Sequence, residues 1–225
     1  YGKTHERVTV KDFHTQLKAC ITEMFDERII DRNPALRVTF TGKQPRKKRD
    51  KYMGLDDLNR LIEALELQEC LSRDWVILLL AKTGVRFSEV LALTPADFDF
   101  EKLTIDKTWN YKGDSGFIPT KNLSSIRTIG IDWQITAQLK PLIENLPADE
   151  PIFVPKDGGG NYQKVYNSTY NNFLSKKCQE AGVPEITMHG LRHTHGSVLL
   201  GQGVSILSVS KRLGHSNVTT TQEVY

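Results

Sequence analysis

His189 and Arg192 are the residues best placed to do chemistry together, three positions apart in an apolar-periodic segment at about 188–201. On a helix, His189, Arg192 and His193 share one side, while Met188, Leu191, His195, Val198 and Leu199 share another. A helix start offers unpaired N–H groups and the positive end of the helix dipole. An imidazole and a guanidinium added there make an anion site, most simply for phosphate; the alternative is a basic turn facing solvent. His189 and His193 also have the i, i+4 spacing of a zinc helix. Yet HGLRH lacks the Glu that follows the first His of a zinc helix, and it sets an arginine between the two imidazoles, where a dication is disfavoured. No metal site is expected.

Other chemistry-bearing residues are scattered upstream and downstream. Arg86 follows Lys82-Thr-Gly84 at the start of a short helical segment. Glu89, one turn later, either supports the guanidinium or forms a surface ion pair. Lys121 lies in PTKNLSSIR, a turn between two strand-like runs, where a long side chain reaches outward. His215 follows Leu213-Gly214 at the end of a helix, and Tyr225 stands ten residues further on.

These positions need elements to bring them together. The pattern predicts helices at about 8–33, 55–65, 72–84, 86–93, 132–146, 168–181, 188–201, 205–213 and 218–225. Asn33-Pro34 is expected to end the first, Ser72 and Asp132 to cap two others, and Gly84 to terminate one. Runs 103–109, 116–118 and 126–131 read as three short strands, and the glycines of 156–161 as a loop. The expected fold is mainly α with a small three-stranded antiparallel β-sheet.

The ordered set Arg86, Lys121, His189, Arg192, His215 and Tyr225, spaced 35, 68, 3, 23 and 10 residues apart, resembles the active-site set of the tyrosine recombinases, the phage integrase family. The strings TGVRFSEVLAL, PTKNLSSIRTI, HGLRHTHGS and LGHSNVTTTQEVY carry the resemblance. It covers residues 53–225 in full, as the catalytic domain, and residues 1–40 as the C-terminal part of a DNA core-binding domain, with 41–52 as a basic linker. It implies cleavage and rejoining of DNA strands through a 3′-phosphotyrosine, with no metal or other cofactor. In that scheme Arg86, Arg192, His189 and His215 stabilise the phosphate, Tyr225 attacks, His189 is the base and Lys121 protonates the leaving oxygen. It also implies double-stranded DNA as partner, a tetramer on that DNA, and a place at the bacterial nucleoid in the cytoplasm. The family's core-binding domain is longer than what is present here, and its members continue past the tyrosine, so the chain reads as a piece cut at both ends. A type IB topoisomerase, a non-catalytic DNA-binding module and a metal-dependent nuclease are the rival readings.

Charge and composition agree with a DNA partner. The 225 residues carry a net charge of only +3. Residues 1–52, however, hold 13 Lys+Arg against 7 Asp+Glu, and residues 53–225 hold 17 against 20. Lys43, Arg46, Lys47, Lys48, Arg49 and Lys51 form a run suited to a polyanion; Lys211 and Arg212 are further candidates for backbone contacts. With 39% apolar and 25% charged residues, the chain has an ordinary globular composition. Its longest apolar run, Trp75–Ala81, is far short of the roughly 20 residues a bilayer requires. Cys20, Cys70 and Cys178 are unpaired in spacing and read as small apolar residues in a reducing compartment. The remaining tyrosines lack the upstream histidine string and read as core or surface.

Overall fold

A computed structural model describes residues 2–43, 52–67, 70–99, 101–120 and 122–225. The chain divides into two compact units, Tyr1–Lys48 and Arg49–Tyr225.

The first unit is built on α1 (Arg7–Asp26), which has no buried residue. Phe13, Leu17, Met24 and Phe25 recur at helical spacing along it but lie exposed. The helix ends well before Asn33-Pro34. Arg28 takes φ 59°, and the N–H groups of Arg28 and Ile29 donate back to the carbonyls of Phe25 and Met24. This is a Schellman closure with an arginine where glycine is usual, so composition gave no sign of it. Asn33 instead shapes the following turn: its Oδ1 accepts from Ala35 N at 2.9 Å.

The second unit is organised around α3 (Arg73–Thr83), which is buried on nearly every side. Its WVILLLA run has no polar face to show to water, so it becomes a central helix. Helices α4 (Phe87–Leu91), α6 (Asn167–Glu180) and α7 (Met188–Gly201) pack against it, α8 (Ile206–Leu213) packs on α7 and α9 (Val218–Val224) on α8, and the unit also contains α2 (Leu55–Glu63) and α5 (Trp133–Ile143). Gly84 ends α3 at φ 69°, where a side chain would also collide with His195. Asp132 Oδ1 caps α5 by accepting from Gln134 N at 2.9 Å, whereas Ser72 makes no cap hydrogen bond.

The β structure is mainly as expected but splits. Strands β1 (Phe98–Asp99), β2 (Lys102–Ile105) and β5 (Arg127–Gly130) form a three-stranded antiparallel sheet in the order β1-β2-β5, with Leu103 opposite Ile129. Strands β3 (Lys107–Trp109) and β4 (Phe117–Pro119) pair separately. The expected strand 103–109 is interrupted at Asp106. There Lys107 Nζ donates to both oxygens of Asp97 at 2.7 Å and to Asp106 at 3.1 Å. An ion-paired residue at the junction turns the chain, and Trp109 packs edge-on against Phe117 and Tyr162.

All three cysteines are free. Cys178 is buried, while Cys20 and Cys70 are exposed, unlike the apolar packing expected of them. Among the described residues no helix is long and apolar enough to cross a membrane.

Candidate active site

Helix α7 starts with two caps. Thr187 Oγ1 accepts from Gly190 N at 3.0 Å, and Asn171 Oδ1 of α6 accepts from Met188 N at 2.8 Å. His189 emerges exposed from this first turn. Arg192 does not share its exposure, contrary to the simple two-sided reading of the helix. It is 2% exposed, because α8 packs over that side. Its Nη1 donates to the Gly84 carbonyl at 2.7 Å and its Nη2 to the Leu213 carbonyl at 2.6 Å. Burial first, then the nearby charge of Arg86, lower the Arg192 pKa to about 9, which leaves it charged at neutral pH.

Arg86 is the residue before α4. Its backbone N–H donates to Glu89 Oε2 at 2.8 Å and its Nη1 to Glu89 Oε1 at 2.7 Å. Nη1 also reaches Ser125 Oγ at 3.3 Å, and Nη2 donates to the Gly214 carbonyl at 3.2 Å. Its side chain stays one-third exposed, while that of Glu89 is fully covered. Glu89 therefore supports Arg86 from below. It also meets a residue that the sequence reading missed. Arg127 Nη2 donates to Glu89 Oε2 at 2.9 Å and its Nη1 to Oε1 at 3.3 Å. Burial pushes the Glu89 carboxyl up, but the Arg127 hydrogen bond and the charges of Arg127 and Arg86 outweigh it and hold the group below its ordinary value.

Three consecutive carbonyls at the end of α8 receive three different arginines. Arg212 O accepts from Arg127 Nε at 2.7 Å, Leu213 O from Arg192 and Gly214 O from Arg86. A helix C-terminus leaves these carbonyls without intrahelical partners and carries the negative end of the dipole. It is thus a natural anchor for clustered cations. Gly214 at φ 71° closes the helix, with its N–H donating to Lys211 O and that of His215 to Ser210 O. That closure delivers His215 beside the arginines. His215 Nδ1 lies 2.8 Å from Thr221 Oγ1. Burial, then Arg192 and Arg86, lower its pKa to about 4.

Tyr225 sits at the end of α9 with its hydroxyl donating to the Arg192 carbonyl at 3.3 Å. Its ring lies so close to Gly196 that any Cβ there would overlap it. Burial raises the phenol to about 12 despite the opposing charge of Arg192. His193 touches both neighbours in turn, with ring centroids 4.5 Å from His189 and 5.9 Å from Tyr225. His189 itself is lowered, first by desolvation and then by Arg192 and Arg86.

Arg86, His189 and Arg192 line one cleft of about 200 Å³, with His215 and Tyr225 in electrical contact with Arg192. A larger hollow of about 630 Å³, by the start of α3 and along α6, contains none of the expected site residues. Lys121, Arg46, Lys47, Lys48, Arg49 and Lys51 lie outside the described residues. Lys43 and Lys211 are exposed. Arg212, expected among the DNA contacts, is turned inward. Its Nε donates to His195 Nε2 at 2.9 Å, and its Nη2 to the carbonyls of Gly130 at 3.0 Å and Lys82 at 3.3 Å. Among the described residues no three His, Cys, Asp or Glu side chains gather as a metal site would require.

The signal for Arg127 was present in the strand pattern. Ile129 is buried and Thr128 exposed, so a two-residue period sets Arg127 on the inward side of β5. An arginine on the covered side of a strand calls for a buried acid, and Glu89 is that acid.

A mainly helical unit with a short antiparallel sheet, holding clustered arginines, histidines and a tyrosine, is the catalytic-domain architecture of integrases. The phage integrase family profile matches residues 51–225, and the chain belongs to that family. It is 28% identical over 236 residues to the ICEBs1 integrase of Bacillus subtilis (strain 168), covering 96% of this chain and 61% of the relative. It is 30% identical over 229 residues to tyrosine recombinase XerC of Rickettsia prowazekii (strain Madrid E), covering 96% and 65%. The chain thus spans somewhat under two thirds of these relatives. Among solved structures, the Tn1549 transposon integrase in complex with a circular intermediate DNA shares its fold. The TM-score is 0.76 at 18% identity, covering 98% of this chain and 75% of the other.

Proposed function

We propose that the chain is the strand-cleaving portion of a site-specific DNA recombinase, acting on double-stranded DNA through a covalent 3′-phosphotyrosine. The observation that carries this reading is the cleft where Arg86, His189 and Arg192 meet, with His215 and Tyr225 against Arg192.

A phosphodiester gains negative charge on its non-bridging oxygens as it is attacked. Arg86 and Arg192 offer fixed paired donors to that charge, already anchored on carbonyls, so little reorganisation is needed during the reaction. With Nδ1 paired to Thr221 Oγ1, the His215 Nε2–H tautomer donates a hydrogen bond to a phosphate oxygen. Tyr225 releases the Arg192 carbonyl and attacks phosphorus. His189, held neutral by its surroundings, accepts the phenolic proton. Lys121 protonates the departing 5′ oxygen. The bond energy is retained in the phosphotyrosine, and a second DNA end reverses the step.

Residues 1–40 serve as the C-terminal part of a core-binding domain and 41–52 as a basic linker. Lys43, Arg46, Lys47, Lys48, Arg49, Lys51 and Lys211 neutralise backbone phosphates, which supplies affinity rather than sequence choice. The work is done by four protomers on DNA at the bacterial nucleoid. The Tn1549 integrase bound to circular intermediate DNA and the ICEBs1 integrase support the DNA substrate and a mobile-element setting.

A nicked duplex that loses its 5′ fragment on cleavage tests this. The full-length protein is expected to form a denaturant-stable protein–DNA adduct, and Tyr225→Phe to bind the duplex without forming one. DNA binding with no adduct from the unaltered protein would favour a module that only grasps phosphates.

A further inference from the structure

Arg127 lies outside the cleft yet holds its walls. Its side chain is 7% exposed. Besides both Glu89 oxygens, it donates from Nη1 to the Ser125 carbonyl at 2.8 Å and from Nε to the Arg212 carbonyl at 2.7 Å. A Cβ added to Gly214 would come within 2.9 Å of its Nη1, so the turn before His215 lies directly on the guanidinium. Four pieces of chain therefore meet on one planar group. These are α4 through Glu89, the β4–β5 connection through Ser125, the end of α8 through Arg212, and the turn that carries His215. We infer that Arg127 is a positioning residue, setting Arg86 by way of Glu89 and fixing the α8 end and the β4–β5 connection in the same register.

Charge and geometry contribute separately. Glu89 faces Arg86 at the start of its own element, Arg127 from β5 and Arg192 from α7, with His215 beyond them. Removing Arg127 takes one of the two guanidiniums in contact with a carboxylate that is fully covered. Protonation of Glu89 then weakens the two bonds that aim Arg86. A lysine supplies the charge but not the fork, because an ammonium cannot meet Glu89, Ser125 and Arg212 in one plane.

The proposal rests on the strand-cleaving reading, and its test separates the two. Full-length wild-type, Arg127→Lys and Arg127→Met proteins are compared in two assays. One follows the Glu89 carboxyl by ¹³C NMR as pH is lowered. The other measures adduct formation and affinity on a nicked duplex recovered by covalent capture from a randomised pool.

In Arg127→Met, Glu89 is expected to titrate at higher pH and the acid limb of the adduct rate to move with it; His189 does not feel Arg127 and cancels in the comparison, whereas His215 loses the Arg127 charge and rises too, so the limb is assigned by its coincidence with the Glu89 ¹³C titration. In Arg127→Lys, Glu89 stays low, affinity stays within about threefold, and the adduct rate still falls roughly 10- to 100-fold from misplacement alone. Full adduct rate in Arg127→Lys, or an unchanged Glu89 titration in Arg127→Met, overturns the proposal. If Arg127→Met fails to fold, the rate-against-affinity split in Arg127→Lys decides it. If the wild type forms no adduct on any duplex, the cleavage reading fails, and the Glu89 titration alone decides the positioning of Arg127.

Discussion

Arg192 does what a lysine at the same place would not. Its guanidinium reaches two carbonyls at once, Gly84 at 2.7 Å and Leu213 at 2.6 Å, and so holds one orientation inside the protein. Arg192→Lys keeps a positive charge but loses the fork. We expect adduct formation to fall by about 10²-fold or more, the scale of losing one preorganised donor, with DNA binding measured in parallel to show that recognition survives. Tyr225 sets a second expectation. With the phenol raised to about 12, the proposed attack by Tyr225 calls for a base to take the phenolic proton rather than for ionisation in solution. His189, lowered from 6.5, loses its proton below that pH and is available throughout the neutral range. A pH–rate profile for adduct formation should therefore rise on the acid side of 6.5 and stay flat through neutrality. A rate still climbing near pH 10 would mean that free phenolate is the attacking species.

Among the elements, the end of α8 and the start of α7 set the site. His195, further along α7, ties that helix to α3 and to the end of α8: its Nδ1 lies 3.0 Å from the Ala81 carbonyl, and its Nε2 accepts from Arg212 Nε at 2.9 Å. Nδ1 therefore carries the proton and the ring is neutral. Burial, then Arg212, lower it from 6.5 to about 4. The unfolded chain takes up a proton between those values that the folded chain does not. Stability is thus complete above pH 6.5 and is lost as pH falls, by on the order of 3 kcal/mol at the lower value. His195→Gln can keep both hydrogen bonds without titrating, so denaturant unfolding should show a flatter loss between pH 6.5 and 4. An identical slope in that variant would place the titrating group elsewhere.

Much of this was legible. Apolar period and punctuation located α2 through α9 closely, and of the six expected site residues Arg86, His189, Arg192, His215 and Tyr225 lie near one another, while Lys121 lies outside the described residues. What escaped was partnership. The inward role of Arg212 depends on His195 and Gly130, which lie 17 and 82 residues away, and no local pattern announces that. The early end of α1 escaped because Arg28 adopts a conformation that its type does not advertise.

For the molecule as a whole, the uneven charge is the feature with a measurable consequence. If the run from Lys43 to Lys51 neutralises phosphates, each cation releases counterions and steepens the salt dependence of binding. Replacing Lys47, Lys48, Arg49 and Lys51 by alanine should reduce the slope of log K against log salt by roughly 3 to 4, measured by fluorescence anisotropy on a long duplex. An unchanged slope would leave that run without a DNA role. Adduct formation is also expected to persist in EDTA, because the proposed mechanism gives the charge stabilisation to the two arginines.

The most direct test locates the covalent bond. Full-length protein is trapped on a nicked duplex, the DNA is digested to a short remnant, and the modified peptide is sequenced by mass spectrometry. A single modified residue is expected, Tyr225, joined to a 3′-phosphate, and no modified peptide when both Arg86 and Arg192 are replaced by alanine. A remnant on any other side chain, or an undiminished adduct without the two arginines, would contradict it.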